Sequence, residues 1–399
     1  MTNRHLAVLA VAAVASFGGA APVSAQQSSE TLTAILGAPN AQNLPETAVR
    51  ASQAYRTVVT QGGPTGPNPG GPTAPGNPDN DRFRASYGRG FDGVVSLVIR
   101  TPIGNFGCTG SLIDSRHILT AAHCVTNGSN VIIANTVDVR FQGPSNTFQN
   151  TITSSGSLVS VNPAYNGLVF ANADVAVITL PVEAPSYATP LMFYNGPAAS
   201  VLGQQVTFVG YGTAGTGATG DLQPGYEFTR RFGYNRFDAT CRAVGTTEDD
   251  EDCVFNNNAS NPIWTADFDN GGRVGAPVNG YDGNALCQLF GDPPGGLGTN
   301  ALLCNAGVAN DILDEVTIGR GDSGGPALFN GMIVGVSSWG ARLDDEYELG
   351  GWGTITGHAS TLNTQNAAFI AAVPEPGTYA LLAVGLLGTG VLARRRRQA

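Results

Sequence analysis

The chain has 399 residues, carries a formal net charge of −10, and all 20 of its basic residues are arginine. Its length allows two or three domains. The acidic balance argues against a nucleic-acid partner, whose phosphates need cationic neutralisation. Six cysteines suit a compartment in which thiols oxidise.

Both ends read as addresses. Arg4 and His5 precede an apolar run over residues 6–15, and Val23-Ser24-Ala25 supplies the small residues at which a secretory signal is cut. Residues 1–25 are therefore expected to be a signal peptide removed by signal peptidase, with the mature chain starting near Gln26. An amphipathic surface helix is a poor reading, because the run has no polar face. Residues 26–61 have modest apolar content and no strong period. In 62–80 proline and glycine are too dense for the side chains to bury a core. Residues 26–82 are thus expected to be a pro-segment or a Pro/Gly-rich spacer, with a domain boundary at their end.

From Phe83 the composition changes to short β-branched runs separated by glycine, proline and asparagine. Residues 94–99, 137–141, 175–180, 206–209 and 332–337 each have the length of a buried strand. A single helix is expected, at 362–372. The pattern is all-β and lacks the helices that a parallel sheet would place between its strands.

Three stretches of this body carry chemistry. Gly319-Arg320-Gly321-Asp322-Ser323-Gly324-Gly325-Pro326 holds a serine among glycines, where the backbone can approach another molecule closely. A serine hydroxyl is a weak nucleophile and needs a base and an orienting carboxylate. Thr120-Ala121-Ala122-His123-Cys124 offers the base. Asp174, at the head of the apolar run Val175-Ala176-Val177-Ile178, offers the carboxylate; buried there it must be hydrogen-bonded to stay ionised. Residues 321–325 also fit the nucleophile elbow of the α/β-hydrolases, whose acid and histidine follow the serine, as Asp344 or Asp345 and His358 do here.

The histidine, aspartate and serine stretches, in that order, resemble those of the chymotrypsin-like (trypsin-like) serine peptidases, and the resemblance covers about 83–372. It implies two antiparallel six-stranded β-barrels with a C-terminal helix. It also implies a serine endopeptidase that hydrolyses a polypeptide substrate through an acyl-enzyme. His123 would be the base, Asp174 its orienting partner and Ser323 the nucleophile, with the N–H groups of Gly321 and Ser323 as oxyanion hole. Val334-Gly335-Val336-Ser337-Ser338-Trp339-Gly340 resembles the strand that pairs with substrate through Ser338 and Gly340, and Trp339 would line the pocket. Gly351 would stand on its far wall and Thr317 at its floor, favouring uncharged side chains; Glu315 is the acidic alternative. The resemblance pairs Cys108 with Cys124 and implies neither cofactor nor metal.

This chain departs from that pattern in three ways. Asp174 and Ser323 are further apart than is usual, the excess lying between Gly212 and Asp311, which makes a long insertion in the second barrel. Cys241, Cys253, Cys287 and Cys304 fall in it, with three pairings open; proximity favours Cys241 with Cys253 and Cys287 with Cys304. Its acidic stretches, 248–252 and 267–271, lack a recognised calcium-loop spacing and are expected to be solvated. Gly319 stands where the family has a disulfide-bonded cysteine, so the nucleophile loop must be held by other contacts. No Ile-Val-Gly-Gly segment exists to supply an activating N-terminus. Arg82 and Arg84 are the available cut sites, and a buried Asp322 is expected to meet a cation.

Residues 373–399 read Val373-Pro374-Glu375-Pro376-Gly377, then an apolar run, then Arg394-Arg395-Arg396-Arg397. The apolar run is short for a membrane span, and the arginines would stay in the cytoplasm. The arrangement resembles the PEP-CTERM sorting tail of Gram-negative bacteria, which implies transient membrane contact, processing by an exosortase-like enzyme and delivery to the cell surface or matrix. A simple tail anchor is the alternative. Two other readings of the whole chain stand beside the peptidase: a non-catalytic surface or matrix module on a peptidase scaffold, and an α/β-hydrolase-type esterase.

Overall fold

The computed structural model describes residues 83–127, 130–169, 173–212, 229–244, 252–256, 259–260, 263–268, 316–342 and 354–373, with a few two-residue strands elsewhere. Seven strands come first: β1 (Val94–Thr101), β2 (Gly104–Leu112), β3 (His117–Thr120), β4 (Thr136–Gln142), β5 (Phe148–Ser155), β6 (Val159–Val161) and β7 (Ala176–Thr179). They form one antiparallel sheet in the order β6-β7-β3-β2-β1-β4-β5. Eight follow: β8 (Gln205–Gly210), β9 (Arg231–Arg236), β10 (Ala239–Val244), β11 (Asp252–Asn256), β12 (Ile263–Phe268), β13 (Pro326–Phe329), β14 (Met332–Arg342) and β15 (Thr354–Ser360). The second sheet is also antiparallel and runs β11-β10-β12-β15-β14-β13-β8-β9, with the two-residue strand Leu6–Ala7 beyond β11 as its ninth member. The architecture is the expected pair of antiparallel β units, with seven and nine strands in place of six each.

The five expected strands lie within or over β1, β4, β7, β8 and β14. Their β-branched residues suit a pleated surface buried on both sides: in β1 every residue from Val94 to Ile99 is buried. One core packs the first sheet and reaches across to Val209, Tyr211, Leu328 and Val336 of the second. A second core gathers Phe208, Phe237, Trp264 and Val334 around Phe83, and the Trp264 indole N–H donates to the Val334 carbonyl at 3.0 Å.

Four strands, β9 to β12, lie between Gly212 and Asp311. Asp267 lies within β12 opposite Ile355 and is buried, so this carboxylate belongs to the sheet and not to a solvated loop. Residues 245–251 and 269–315 lie outside the described residues.

Two contacts fix the ends of the body. The Ala85 N–H donates to the Arg230 carbonyl at 3.0 Å. The buried Arg230 guanidinium returns a bond to the Ala85 carbonyl and pairs with Asp92, both at 2.9 Å. At the other end Asn363 caps α1 (Thr364–Ala372) by accepting from the Gln365 N–H. Asn366 on that helix accepts from the Asn162 side chain at 2.9 Å, tying the helix to the first sheet. Among the described residues no helix is long and apolar enough to cross a membrane. The signal over 1–25 and the tail from 374 lie outside the described region, apart from Leu6–Ala7.

Candidate active site

His123 comes from the end of β3, where the chain leaves the sheet into a single 3-10 turn, Ala122–Cys124. The turn buries the imidazole and aims it at Asp174, just before β7. β7 pairs with β3, Ala176 lying opposite Thr120, and sheet register thereby brings the two residues together. The His123 backbone N–H donates to Asp174 Oδ1 at 2.8 Å, and ring Nδ1 meets Oδ2 at 2.7 Å. Asp174 has no exposed surface. An acceptor at Nδ1 fixes the neutral tautomer and leaves the Nε2 lone pair free to take a proton.

Asp174 Oδ2 has a second donor in the Ser338 hydroxyl. In the β14–β15 ladder Ser337 opposes His358 and Trp339 opposes Gly357, which leaves Ser338 as an extra residue in a bulge. Bulges re-aim side chains beside functional sites. The Ser338 side chain is thereby committed to Asp174.

The loop around Ser323 is held from several sides. Gly321 and Gly324 adopt φ of 93° and 83°, the left-handed region that suits glycine. A Cβ at Gly324 would lie 2.1 Å from Thr120 Oγ1 and 2.4 Å from the Thr109 carbonyl. The Gly324 N–H donates to the Ser337 carbonyl and the Ser337 N–H to the Gly325 carbonyl, both at 2.8 Å. Asp322 takes the Gly212 N–H on Oδ1 and the Gly319 N–H on Oδ2, each at 3.1 Å. Two backbone donors thus serve the buried carboxylate.

The first sheet holds the loop from the other side. The Thr109 N–H donates to the Ser323 carbonyl at 2.8 Å and its hydroxyl to the Gly321 carbonyl at 2.7 Å. The Cys108–Cys124 disulfide is formed. Cys124 Sγ lies 3.7 Å from the Ser323 carbonyl oxygen and 3.9 Å from His123 Nε2, so serine and histidine border the same sulfur. Cys241 is disulfide-bonded; the side chains of Cys253, Cys287 and Cys304 lie outside the described residues.

Of the expected pocket residues, Thr317 is fully buried and its hydroxyl has no hydrogen-bond partner among the described residues. The Trp339 indole lies against Gly357, where a Cβ would come within 2.0 Å of the ring. Gly340 lies on β14 opposite Thr356. Gly351 and Glu315 lie outside the described residues.

His358, the histidine of the esterase reading, is fully buried, stacked on Phe208 at 4.4 Å and edge-on to Phe237 at 5.3 Å. Burial lowers its pKa to about 3. It is a core side chain; Asp344 and Asp345 lie outside the described residues. Among the described residues no group of three His, Cys, Asp or Glu side chains could hold a metal ion.

Sequence reasoning passed over Thr109, whose place directly after Cys108 was the available signal. It also passed over a His117–Asp114 pair, Nδ1 to Oδ2 at 2.6 Å, in which the histidine opening β3 is buried and the aspartate is partly exposed.

An all-β chain of two antiparallel sheets, with a histidine–aspartate pair and a glycine-bound serine at their junction, is the architecture of the chymotrypsin-like class. Residues 83–229 match the family model Trypsin, and residues 372–397 match the PEP-CTERM protein-sorting motif. The trypsin match includes His123 and Asp174 and ends before Ser323.

Among known proteins the chain is 26% identical to the serine protease SP24D of Anopheles gambiae, over 58% of this chain and 62% of that protein, so it spans less than two thirds of this relative. It is 27% identical to the snake venom serine protease Haly-2 of Gloydius brevicauda, over 59% of this chain and 68% of that protein. It is 26% identical to a trypsin of Saccharopolyspora erythraea, over 62% and 82% respectively. The solved structure of HL collagenase aligns with a TM-score of 0.40 and 18% identity, covering 70% of this chain and 91% of that one. Residues 83–229 thus resemble the trypsin family, and residues 372–397 a sorting motif of the kind that indicates export and surface association in bacteria.

Proposed function

We propose that this protein is an exported serine endopeptidase in which Ser323 attacks the scissile carbonyl. His123 takes the serine proton and returns it to the leaving amine; Asp174 holds the imidazole and stabilises its charged form. The N–H groups of Gly321 and Ser323 would bind the oxyanion, an interaction whose loss costs roughly 3 to 4 kcal/mol of barrier. The observation that carries the reading is the double contact of His123 with Asp174, through backbone N–H and ring Nδ1, beside a nucleophile loop bordering the same disulfide.

Substrate would pair with the backbone of Ser338 and Gly340, with Trp339 and Gly351 on the walls of the pocket and Thr317 at its floor. Residues 1–25 and the tail over 373–399 are processing segments on this reading. Signal peptidase would remove the first and an exosortase-like enzyme the second, delivering the body over 83–372, behind the spacer over 26–82, to the surface or matrix of a Gram-negative cell.

Labelling with a fluorophosphonate tests the mechanism. Wild type should be labelled at Ser323, and both Ser323→Ala and His123→Ala should lose the label. An unlabelled wild type would leave the non-catalytic module as the better reading; a label surviving in His123→Ala would rule out His123 as base.

A further inference from the structure

Thr109 stands immediately after Cys108 on β2, far from the nucleophile in sequence, and is fully buried. All of its polar groups are engaged. Its hydroxyl donates to the Gly321 carbonyl at 2.7 Å and accepts the Tyr211 N–H at 3.1 Å. Its N–H donates to the Ser323 carbonyl at 2.8 Å, and its own carbonyl accepts from the Thr120 hydroxyl at 2.9 Å. One side chain thus joins three segments: β2, the stretch leaving β8, and the nucleophile loop. The next residue along that stretch, Gly212, donates to Asp322, so hydroxyl and carboxylate take two successive N–H groups.

The loop needs such a tie. Gly321 sits at φ 93°, and glycine pays little to leave that conformation, so its torsional preference alone does not fix the direction of its N–H. No cysteine is present at 319 to anchor the loop covalently. The carbonyl that Thr109 grips belongs to Gly321 itself, so the bond restrains the residue whose N–H the oxyanion requires. A buried hydroxyl that both donates and accepts has no competing water to satisfy, which keeps it in place.

We propose that Thr109 is a positioning residue that holds Gly321 in its oxyanion-binding orientation, doing by hydrogen bonds what a disulfide at position 319 would do covalently. This rests on the peptidase reading above. The isosteric Thr109→Val removes the hydroxyl and keeps the volume, whereas Thr109→Ser keeps the hydroxyl.

The experiment compares wild type, Thr109→Val and Thr109→Ser in three measurements: kcat and KM on a peptide amide, affinity for a peptide aldehyde, and affinity for the matching peptide product. The aldehyde uses the oxyanion hole through its tetrahedral adduct; the product measured, the amine-side peptide, has no acyl carbon there and does not. Thr109→Val is expected to lose about 100-fold in kcat, in line with the loss of one oxyanion donor, with a parallel weakening of the aldehyde and with KM and product affinity within about threefold. Thr109→Ser should recover most of the loss.

Thr109→Val with wild-type kcat overturns the proposal, as does equal weakening of aldehyde and product, which would mark a general structural defect. Should Thr109→Val fail to fold, Thr109→Ala against Thr109→Ser carries the same comparison, and equal kcat in those two overturns it. Fluorophosphonate labelling of wild type separates the two levels. Without a label the peptidase reading falls and takes this one with it; with a label and an unaffected Thr109→Val, this one falls alone.

Discussion

Asp322 lies so close to Gly210 that a Cβ on the glycine would stand 1.8 Å from carboxylate Oδ1. Both side-chain oxygens are already bound, to the N–H groups of Gly212 and Gly319, and the aspartate is buried. A methyl group at 210 must therefore displace a buried carboxylate from its donors. Gly210→Ala is expected to cost about 3 kcal/mol or more in denaturant unfolding, the range for uncoupling a buried charge. Activity should fall with it, because Asp322 separates Gly321 and Ser323, the two residues proposed to form the oxyanion hole. Wild-type stability in Gly210→Ala would mean that the loop yields freely and that Asp322 is not tightly held.

Ser323, His123 and Asp174 are proposed to act as a unit, which makes a kinetic prediction beyond simple loss of activity. Ser323→Ala and His123→Ala should each reduce kcat on the order of 10⁶-fold, and the double variant should be no worse than either. Losses that multiply in the double variant would show two independent contributions and contradict the assignment.

What was legible in the sequence was whatever is local. The β-branched runs marked the strands, and the histidine and aspartate motifs named a pair that the β3–β7 register then joins. The helix expected at 362–372 is α1, shortened at its start because Asn363 serves as the cap. Contacts made by one residue across the fold were not legible. Nothing in the letters around Ser338 reveals a bulge, since a bulge is a property of two strands' registers. Thr109 reads as one more strand residue until its hydroxyl is seen on a carbonyl 212 residues away.

Specificity is expected to follow from Thr317. Its hydroxyl is buried and has no hydrogen-bond partner among the described residues. As pocket floor it would offer a substrate cation no charge to offset desolvation. Leucyl, phenylalanyl or alanyl peptide amides should therefore be cleaved faster than arginyl or lysyl ones. The reverse order in a panel differing only before the cut would remove Thr317 from the floor and make Glu315 the better candidate.

Processing of the tail is checked by mass. With the sorting motif at 372–397 acting as proposed, protein recovered outside the cell should lack residues 379–399. Intact Arg394 to Arg397 on released protein would instead indicate a tail that is never removed.

His358 gives the fold a pH dependence of its own. The ring is fully buried between Phe208 and Phe237, with Nδ1 and Nε2 each 3.4 Å from a hydroxyl, of Ser337 and Thr356. Burial lowers its pKa from 6.5 to about 3, so the native state keeps the ring neutral through the range in which the unfolded chain protonates it. The unfolded state then binds the extra proton, and stability from this group is lost as pH falls below 6.5, levelling off near 3. By linkage the loss is about 2 kcal/mol at pH 5 relative to neutral pH. Carboxylates that titrate in the same range add their own slope, so the contribution of His358 must be read as a difference between proteins. His358→Phe keeps an aromatic ring against Phe208 but cannot bind a proton. It leaves the Ser337 and Thr356 hydroxyls without the ring, which lowers stability at neutral pH by a roughly constant amount. The decisive quantity is the change in unfolding free energy from pH 7 to pH 5, measured by urea denaturation of both proteins. Wild type should lose about 2 kcal/mol more than the variant over that interval. Equal losses would mean that His358 takes up a proton inside the folded core, and that the hydroxyls of Ser337 and Thr356 accept from a charged ring.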